Sequence, residues 1–187
     1  MFLKPESRIM VFVDGENLAI RYRELLASTP QADHVKSIRD VFVWSTIFDP
    51  FLQRNHIVRK YYFTSSVGSD EELIKVEDFI RAAGFEAPRV YKKQRNRPSK
   101  RVDVSMCCEM LSHGLRDNFD CAIVISGDGD FVPAVEALIN GGKQVILWYL
   151  ASGASKALIR SADHSFDLSN FFLSSGGIPW GILRGDT

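Results

Sequence analysis

Asp120-Cys-Ala-Ile-Val-Ile-Ser-Gly-Asp-Gly-Asp-Phe-Val-Pro133 is the stretch on which the fold of this chain turns. Ala122 to Ile125 is an unbroken apolar run, the pattern of a strand buried on both faces of a parallel sheet. Phe131 to Leu138 reads as a helix, and Ser126-Gly127-Asp128-Gly129-Asp130 joins the two. Two carboxylates two residues apart therefore stand where a buried strand gives way to a helix. In an open α/β sheet, that edge is where ligands bind. The glycines allow a sharp turn and leave room for a ligand to approach. Carboxylate oxygens with no His or Cys beside them suit a hard cation such as Mg²⁺ or Mn²⁺. A plainer reading gives the same residues structural work. Asp130 is then the N-cap of the following helix with Pro133 in its first turn, and Asp128 a turn residue.

Outward from this stretch, the same pattern recurs at the start of the chain. Ile9 to Val13 is a second buried-type strand, and it ends in Asp14-Gly15-Glu16-Asn17. A helix is expected from about Glu16 to Ala27, with Leu18, Tyr22, Leu25 and Leu26 near helical spacing. Two separate strand ends thus each carry an aspartate.

Between them, residues 28–40 read as a polar loop and Val41 to Arg54 as a helix kinked or broken by Pro50. Ile57 to Thr64 is a strand by its β-branched and aromatic content. Ser69 caps a helix that Ala83-Gly84 closes. Phe85 to Tyr91 is a strand interrupted by Pro88, which places it at an edge. Asp103 to Arg116 is a helix, and Val104, Cys107, Cys108, Leu111 and Leu115 share one face that should meet the core. Asp103 is then either its N-cap or a carboxylate leaving its first turn. Glu109 lies off that stripe and reads better as a solvated helix-face acid than as a group reaching a metal through water. Lys143 to Leu150 is a further strand, Ser155 to Ser161 a short helix, and Phe166 to Phe172 a small terminal element. A Gly/Ser-rich tail from Ser174, packing through Trp180 or swapping onto a partner, should follow.

Composition bounds the rest. At 187 residues the chain suits one α/β domain over residues 1–173, followed by the tail 174–187. A hydrophobic share of 45% and a charged share of 25% are those of a water-soluble protein. No apolar run approaches the ~18 residues that span a bilayer, and Asp14 ends the first run too early for a signal-peptide core. A cytoplasmic protein with no membrane partner is the expectation. The three cysteines, Cys107, Cys108 and Cys121, have no C-x-x-C spacing and read as small buried hydrophobes. His34, His56, His113 and His164 have no ligand spacing among them.

The formal charge is zero, but it is unevenly spread. Arg89, Lys92, Lys93, Arg95, Arg97, Lys100 and Arg101 are seven cations with no acid among them, which leaves about seven net negative charges elsewhere. A charge run is most often a solvated loop. Its place just ahead of Asp103 favours a phosphate-binding arm, since Lys/Arg clusters supply the sequence-independent part of nucleic-acid affinity.

Assembled, alternating strands and helices imply a mostly parallel sheet with right-handed crossovers, with Asp14 and Asp128 on one edge and Asp103 beside them. Carboxylates that converge repel one another unless a cation neutralises them, so their convergence argues for a metal. A nucleotide-binding Rossmann protein is excluded, because no G-x-G-x-x-G follows the first strand.

Phe12-Val13-Asp14-Gly15-Glu16-Asn17, Arg101-Val102-Asp103-Val104 and Val124-Ile125-Ser126-Gly127-Asp128-Gly129-Asp130-Phe131 resemble the three signatures of the NYN domain. More narrowly, they resemble its LabA-like group within the PIN-like nuclease superfamily. The resemblance runs from about Ile9 to Phe172. It departs at Arg101, where glycine is commoner, and at Glu109, where aspartate is.

It implies a three-layer α/β/α sandwich around a mostly parallel sheet of about five strands. It also implies a divalent-metal-dependent ribonuclease using Mg²⁺ or Mn²⁺. Carried over, Asp14, Asp103, Asp128 and Asp130 are the acidic cluster, with Asn17 orienting Asp14 or a water. Ser126 is either a ligand to a phosphate or a plain turn serine. Lys92, Lys93, Arg95, Arg97, Lys100 and Arg101 would hold the backbone of a single-stranded or structured RNA, with Tyr91 stacking on a base. The competing expectation is a regulatory module that keeps the fold and pocket with little turnover. A homodimer or a protein partner stays open.

Overall fold

The two strands read from the sequence form the middle of the sheet in the computed structural model, which describes residues 6–26, 31–93 and 100–173. The strands are β1 (Ile9–Asp14), β2 (Val35–Ile38), β3 (Phe42–Ser45), β4 (Ile57–Ser66), β5 (Ala87–Lys92), β6 (Cys121–Ile125), β7 (Gln144–Tyr149) and β8 (His164–Asp167). The helices are α1 (Gly15–Leu25), α2 (Asp49–Gln53), α3 (Asp70–Ala82), α4 (Lys100–Leu115), α5 (Val132–Asn140), α6 (Lys156–Ser161) and α7 (Ser169–Leu173). Six strands form one sheet in the order β5-β4-β1-β6-β7-β8, and every pairing in it is parallel. The expected sheet of about five strands gains β8, paired with β7 along Ile146–Tyr149. The tail from Ser174, Trp180 included, lies outside the described residues.

Why β1 and β6 read as unbroken apolar runs is visible in their burial. Ile9, Val11 and Val13 face one core with Cys121, Ile123 and Ile125, while Met10 and Phe12 face the other with Ala122 and Val124. Successive side chains point to opposite faces, so a strand covered on both sides is apolar at every position. The first core is covered by α1, α2, α3, α7 and the β2–β3 hairpin, the second by α4, α5 and α6. This is the three-layer sandwich.

Two local expectations are corrected. Residues 31–54 do not form a loop followed by one helix kinked or broken at Pro50; residues 28–30 of the expected loop lie outside the described residues. Val35–Ile38 and Phe42–Ser45 pair as an antiparallel hairpin, with α2 and a 3₁₀ turn after it. Phe42, Val43 and Trp44 are β-branched or aromatic and fully buried, which favours a strand over a helix. Tertiary bonds fix the choice: Val43 N–H donates to the Tyr62 hydroxyl (2.9 Å), and Thr64 Oγ1 donates to Val41 O (2.6 Å).

The second correction concerns α4. Its buried face is Val102, Met106 and Met110, all at 0% exposure, packed with Phe12, Tyr61 and Phe119. His113 continues that face and meets the Tyr61 hydroxyl at 2.8 Å. The expected core stripe lies on the opposite side, where Val104 is 61% and Leu115 87% exposed. Both sides of the helix carry apolar residues, so periodicity alone could not choose between them. Cys108 is likewise exposed and Cys107 half-buried; only Cys121 is a buried hydrophobe, its thiol pushed up to about 12 by burial.

Other ends follow their sequence signals. Ser69 and Glu72 form a capping box at the start of α3, and Gly84 after its end takes a φ of +94°. β5, holding Pro88, is an edge strand. No helix among the described residues is long and apolar enough to cross a membrane.

Candidate functional site

The chain leaves β1 toward β4 on one side and returns through β6 on the other, so the strand order reverses between β1 and β6. Side chains at the carboxyl ends of those two strands border the crevice that such a reversal opens. Asp14 ends β1, and Ser126-Gly127-Asp128 follows β6.

Asp14 is buried at 1% exposure. It is also the N-cap of α1: its Oδ1 accepts from Asn17 N–H (3.2 Å). Its Oδ2 accepts from Ser126 Oγ (2.8 Å), and that hydroxyl accepts in turn from Asp128 N–H (3.0 Å). Ser126 spends its hydrogen bonds inside the site and is 2% exposed, which leaves it a bracket between two aspartates and not a free phosphate ligand. The Asn17 side chain takes Gly127 N–H on Oδ1 (2.9 Å). It thus pins the β6 loop, while its backbone, not its amide, holds Asp14. Asp128 Oδ1 accepts from Asp130 N–H (3.0 Å) and caps the 3₁₀ turn Gly129–Phe131. Asp130 is therefore no helix cap; it is exposed, ahead of α5.

The glycines have a different reason from the one expected. Neither Gly127 nor Gly129 adopts a positive φ. A Cβ on Gly129 would sit 2.9 Å from Ser155 Oγ, and one on Gly127 3.3 Å from Ala154 Cα. The room beside the acidic turn is filled by the chain's own 154–155 segment, bonded through Ser155 N–H to Gly127 O (2.8 Å). Gly15 is tighter still: a Cβ there would lie 2.2 Å from Tyr62 Cε1.

Asp103 sits in the first turn of α4 and is half-buried. Its carboxyl is raised, chiefly by burial and then by Asp128, Glu16 and Asp130. The Asp14 carboxyl is pushed up to about 7, first by burial, with Asp103 and Asp128 adding to it against the bonds from Ser126 and Asn17. The four predicted aspartates therefore share one electrostatic environment.

Glu16 joins them, a residue the sequence reading quoted without a role. Its Oε1 accepts from the Ser65 hydroxyl and from Lys93 Nζ (3.3 Å). The signal was present: a second carboxylate two residues after Asp14, on the turn that opens α1. Ser65, buried at the end of β4, carried no sequence signal.

Glu109 is not brought to this cluster. It pairs with Arg89 (3.0 Å) and His113 (3.3 Å), two turns along α4 from Asp103. Lys92 pairs with Asp70 (2.8 Å), and Arg101 is exposed at the start of α4. Arg95, Arg97 and the side chain of Lys100 lie outside the described residues. Tyr91 reaches the Ser105 hydroxyl and, with Arg101, Val104 and Ser105, lines an open depression of about 370 Å³.

The NYN domain model matches residues 8–169. The chain belongs to the NYN domain family. A crystal structure of a Vibrio parahaemolyticus protein of unknown function shares the fold, with a TM-score of 0.65 and 23% identity over 93% of this chain and 100% of that one. A search of the curated proteins found no match. NYN domains are generally nucleases, so family membership supports a hydrolase of the nuclease type, on a PIN-like α/β scaffold.

NYN nucleases typically use a divalent metal, and the donor chemistry of this site fits one. Its donors are hard carboxylate oxygens, and among the described residues Lys93 is the cation paired with one of them, Glu16. The Cys107 thiol nearby is raised by burial and by Asp103, which keeps it protonated and a poor competitor as a ligand. Among the described residues, no three His, Cys, Asp or Glu side chains are drawn together as a ready metal-holding group.

Proposed function

We propose that this NYN protein is a metal-dependent ribonuclease, of the LabA-like group, in which Asp14, Asp103, Asp128 and Asp130 would hold Mg²⁺ or Mn²⁺. The observation that carries the reading is the buried Asp14 carboxylate. It lies at the topological switch point, raised to about 7 and coupled to Asp103 and Asp128. A buried acid with acidic neighbours is costly to ionise, and a fold keeps one where a cation offsets the cost. A bound divalent ion supplies Lewis acidity toward a phosphoryl oxygen and a more acidic water.

The chain's own residues do the rest. Ser126 and the Asn17 backbone fix both oxygens of Asp14 on one rotamer, and Asp128 is held in step through the same hydroxyl. Lys93, which pairs with Glu16, would exchange that carboxylate for a backbone phosphate of RNA. Lys92 sits one residue ahead of it in an exposed pair that costs about 1 kcal/mol or less to break. Tyr91 offers a ring beside Arg101 on which a base can stack.

The test is cleavage of a mixed single-stranded and structured RNA pool with Mg²⁺ or Mn²⁺, beside Asp14→Asn/Asp128→Asn. Cleavage by the wild type alone, abolished by EDTA and reduced at least ~10³-fold in the double variant, is the expected result. Equal cleavage by both proteins removes these aspartates from the reaction. A second reading has its own observation. The Lys93–Glu16 pair already neutralises part of the cluster, as suits a regulatory module that binds RNA and turns over little. RNA binding with no cleavage in any divalent ion would favour it.

A further inference from the structure

A hollow at the start of α3 borders the acidic cluster without being part of it. Val67, Gly68, Glu72 and Lys93 line about 420 Å³ of space, within the ~300–1,000 Å³ of small-molecule sites. It lies just past Ser66, the last residue of β4. β4 runs parallel to β1 with Phe63 opposite Asp14, so the hollow is at the sheet edge that carries the acidic site. Lys93 belongs to both. Its Nζ meets Glu16 Oε1 at 3.3 Å, and its backbone N–H donates to Ser66 O (2.8 Å).

Glu72 is the fixed group of this hollow. Its Oε2 accepts from the Ser69 N–H (2.7 Å), while Ser69 Oγ accepts from the Glu72 N–H (3.3 Å). These two bonds of the capping box hold the carboxylate in place and lower its pKa, so it is ionised at neutral pH. Among the described residues no group donates to its Oε1. A carboxylate oxygen has two lone pairs, so Glu72 keeps accepting capacity to spare. Gly68, with a φ of +143°, leaves bare backbone beside it, where a Cβ would lie 2.5 Å from Glu72 Oε2. Val67, 48% exposed, adds an apolar surface. A fixed acceptor, an apolar contact and a backbone open to close approach suit an unstacked nucleobase read on its edge. A phosphate in the same space would meet the charge of Glu72.

We infer, on the reading that Lys93 takes a backbone phosphate of RNA, that the hollow between Glu72 and Lys93 is a base pocket that selects guanine in the substrate. Glu72 is its specificity-determining residue. Of the four RNA bases, guanine alone presents two adjacent N–H donors, N1–H and the 2-amino group, to one carboxylate. Adenine and cytosine set a ring-nitrogen acceptor beside their amino group, and uracil sets a carbonyl on each side of its N3–H. Each of these three would turn a lone pair toward the Glu72 charge. A two-bond contact of this kind separates the right base from a wrong one by roughly 5- to 150-fold in affinity. With its phosphate on Lys93, the selected guanosine lies next to the acidic cluster, so cleavage becomes base-selective at that position.

Binding of single-stranded RNA hexamers to the full chain, measured in EDTA by fluorescence anisotropy, tests this without cleavage. A uridine hexamer carrying one guanosine should bind at least ~5-fold tighter than one carrying adenosine or inosine there, inosine being guanosine without the 2-amino group. This comparison needs no variant. Glu72→Gln keeps an acceptor for the Ser69 N–H, so the helix cap survives. Its circular dichroism spectrum should be unchanged and its guanosine preference should fall below ~2-fold. The Gly68 amide resonance should shift with the guanosine hexamer and not with the adenosine one. Equal affinities for the hexamers, a preference that survives Glu72→Gln, or an unmoved Gly68 amide each overturn the proposal. Free GMP bound as tightly as the guanosine hexamer would make the ligand a free nucleotide and overturn the assignment to RNA. Cleavage of RNA with no base preference sinks the pocket alone, whereas a guanosine preference without cleavage in any divalent ion sinks the nuclease and leaves the pocket.

Discussion

Asp14 carries a contradiction that only its neighbours resolve. Ser126 and Asn17 stabilise its ionised form, yet burial outweighs them and leaves the carboxyl near 7 instead of 3.8. The folded protein therefore holds this proton up to about pH 7, whereas the unfolded chain releases it near pH 4. Through this group the stability of the metal-free protein falls as pH rises across that window, and the full penalty is present above pH 7. It is on the order of 4 kcal/mol. Asp14→Asn removes the charge, but it sets an amide N–H against one of two groups that donate to Asp14, at about 1 kcal/mol. The variant should thus be more stable than wild type by roughly 2–3 kcal/mol at pH 8 and lose that advantage by about pH 5. Urea unfolding in EDTA at both pH values reads this directly. A variant less stable than wild type at pH 8 would mean that Asp14 is not strained by its charge. Asp120 works with the opposite sign: Arg8 holds its carboxyl down at about 2, so that pair favours the fold until the pH falls well below 4.

At the scale of elements, what the sequence revealed depended on whether two faces or one had to be chosen. β1 and β6 are buried on both faces, so an apolar run sufficed to find them and the aspartates that end them. The capping box of α3 and the proline in edge strand β5 were equally local signals. α4 required a choice between two apolar stripes, and the answer lay in partners far along the chain: Tyr61 under His113, and Leu138 against Gly114. The hairpin of β2 and β3 was hidden for the same reason, since its bonds run to Tyr62 and Thr64. Glu16 was missed because its function depends on Lys93, 77 residues away. The orientation of α4 can be checked by stability alone. Met106→Ala should cost ~2–4 kcal/mol by opening a cavity against the sheet, while Val104→Ala should stay within ~0.5 kcal/mol. Chemical denaturation at low protein concentration separates them. Equal costs would mean that the outward stripe is packed after all.

Across the whole molecule, a net charge of zero conceals an uneven spread between a carboxylate cluster and the basic segment from Arg89 to Arg101. Among the described residues the two meet where Lys93 pairs with Glu16. Lys92 and Lys93 are adjacent and carry the same charge, but only Lys93 touches the cluster; Lys92 is bound to Asp70 at the surface. Replacing either lysine by glutamine should remove one phosphate contact and lower the slope of log affinity for single-stranded RNA against log salt by about 0.7. Their effects on the acidic site should differ. Lys93→Gln leaves Glu16 without its cation, raises the negative potential over Asp103, and should tighten Mn²⁺ binding several-fold while RNA binding weakens. Lys92→Gln should weaken RNA binding and leave Mn²⁺ affinity where it was. Titration of Mn²⁺ by calorimetry, with RNA binding measured at several salt concentrations, reads both effects in the same two variants. If Lys93→Gln and Lys92→Gln moved Mn²⁺ affinity equally, the Lys93–Glu16 contact would not be the junction between the basic arm and the acidic site. If neither changed the salt slope, the arm would not lie along RNA. The contrast between two neighbouring lysines tests the junction itself, because the net charge of the protein changes identically in both.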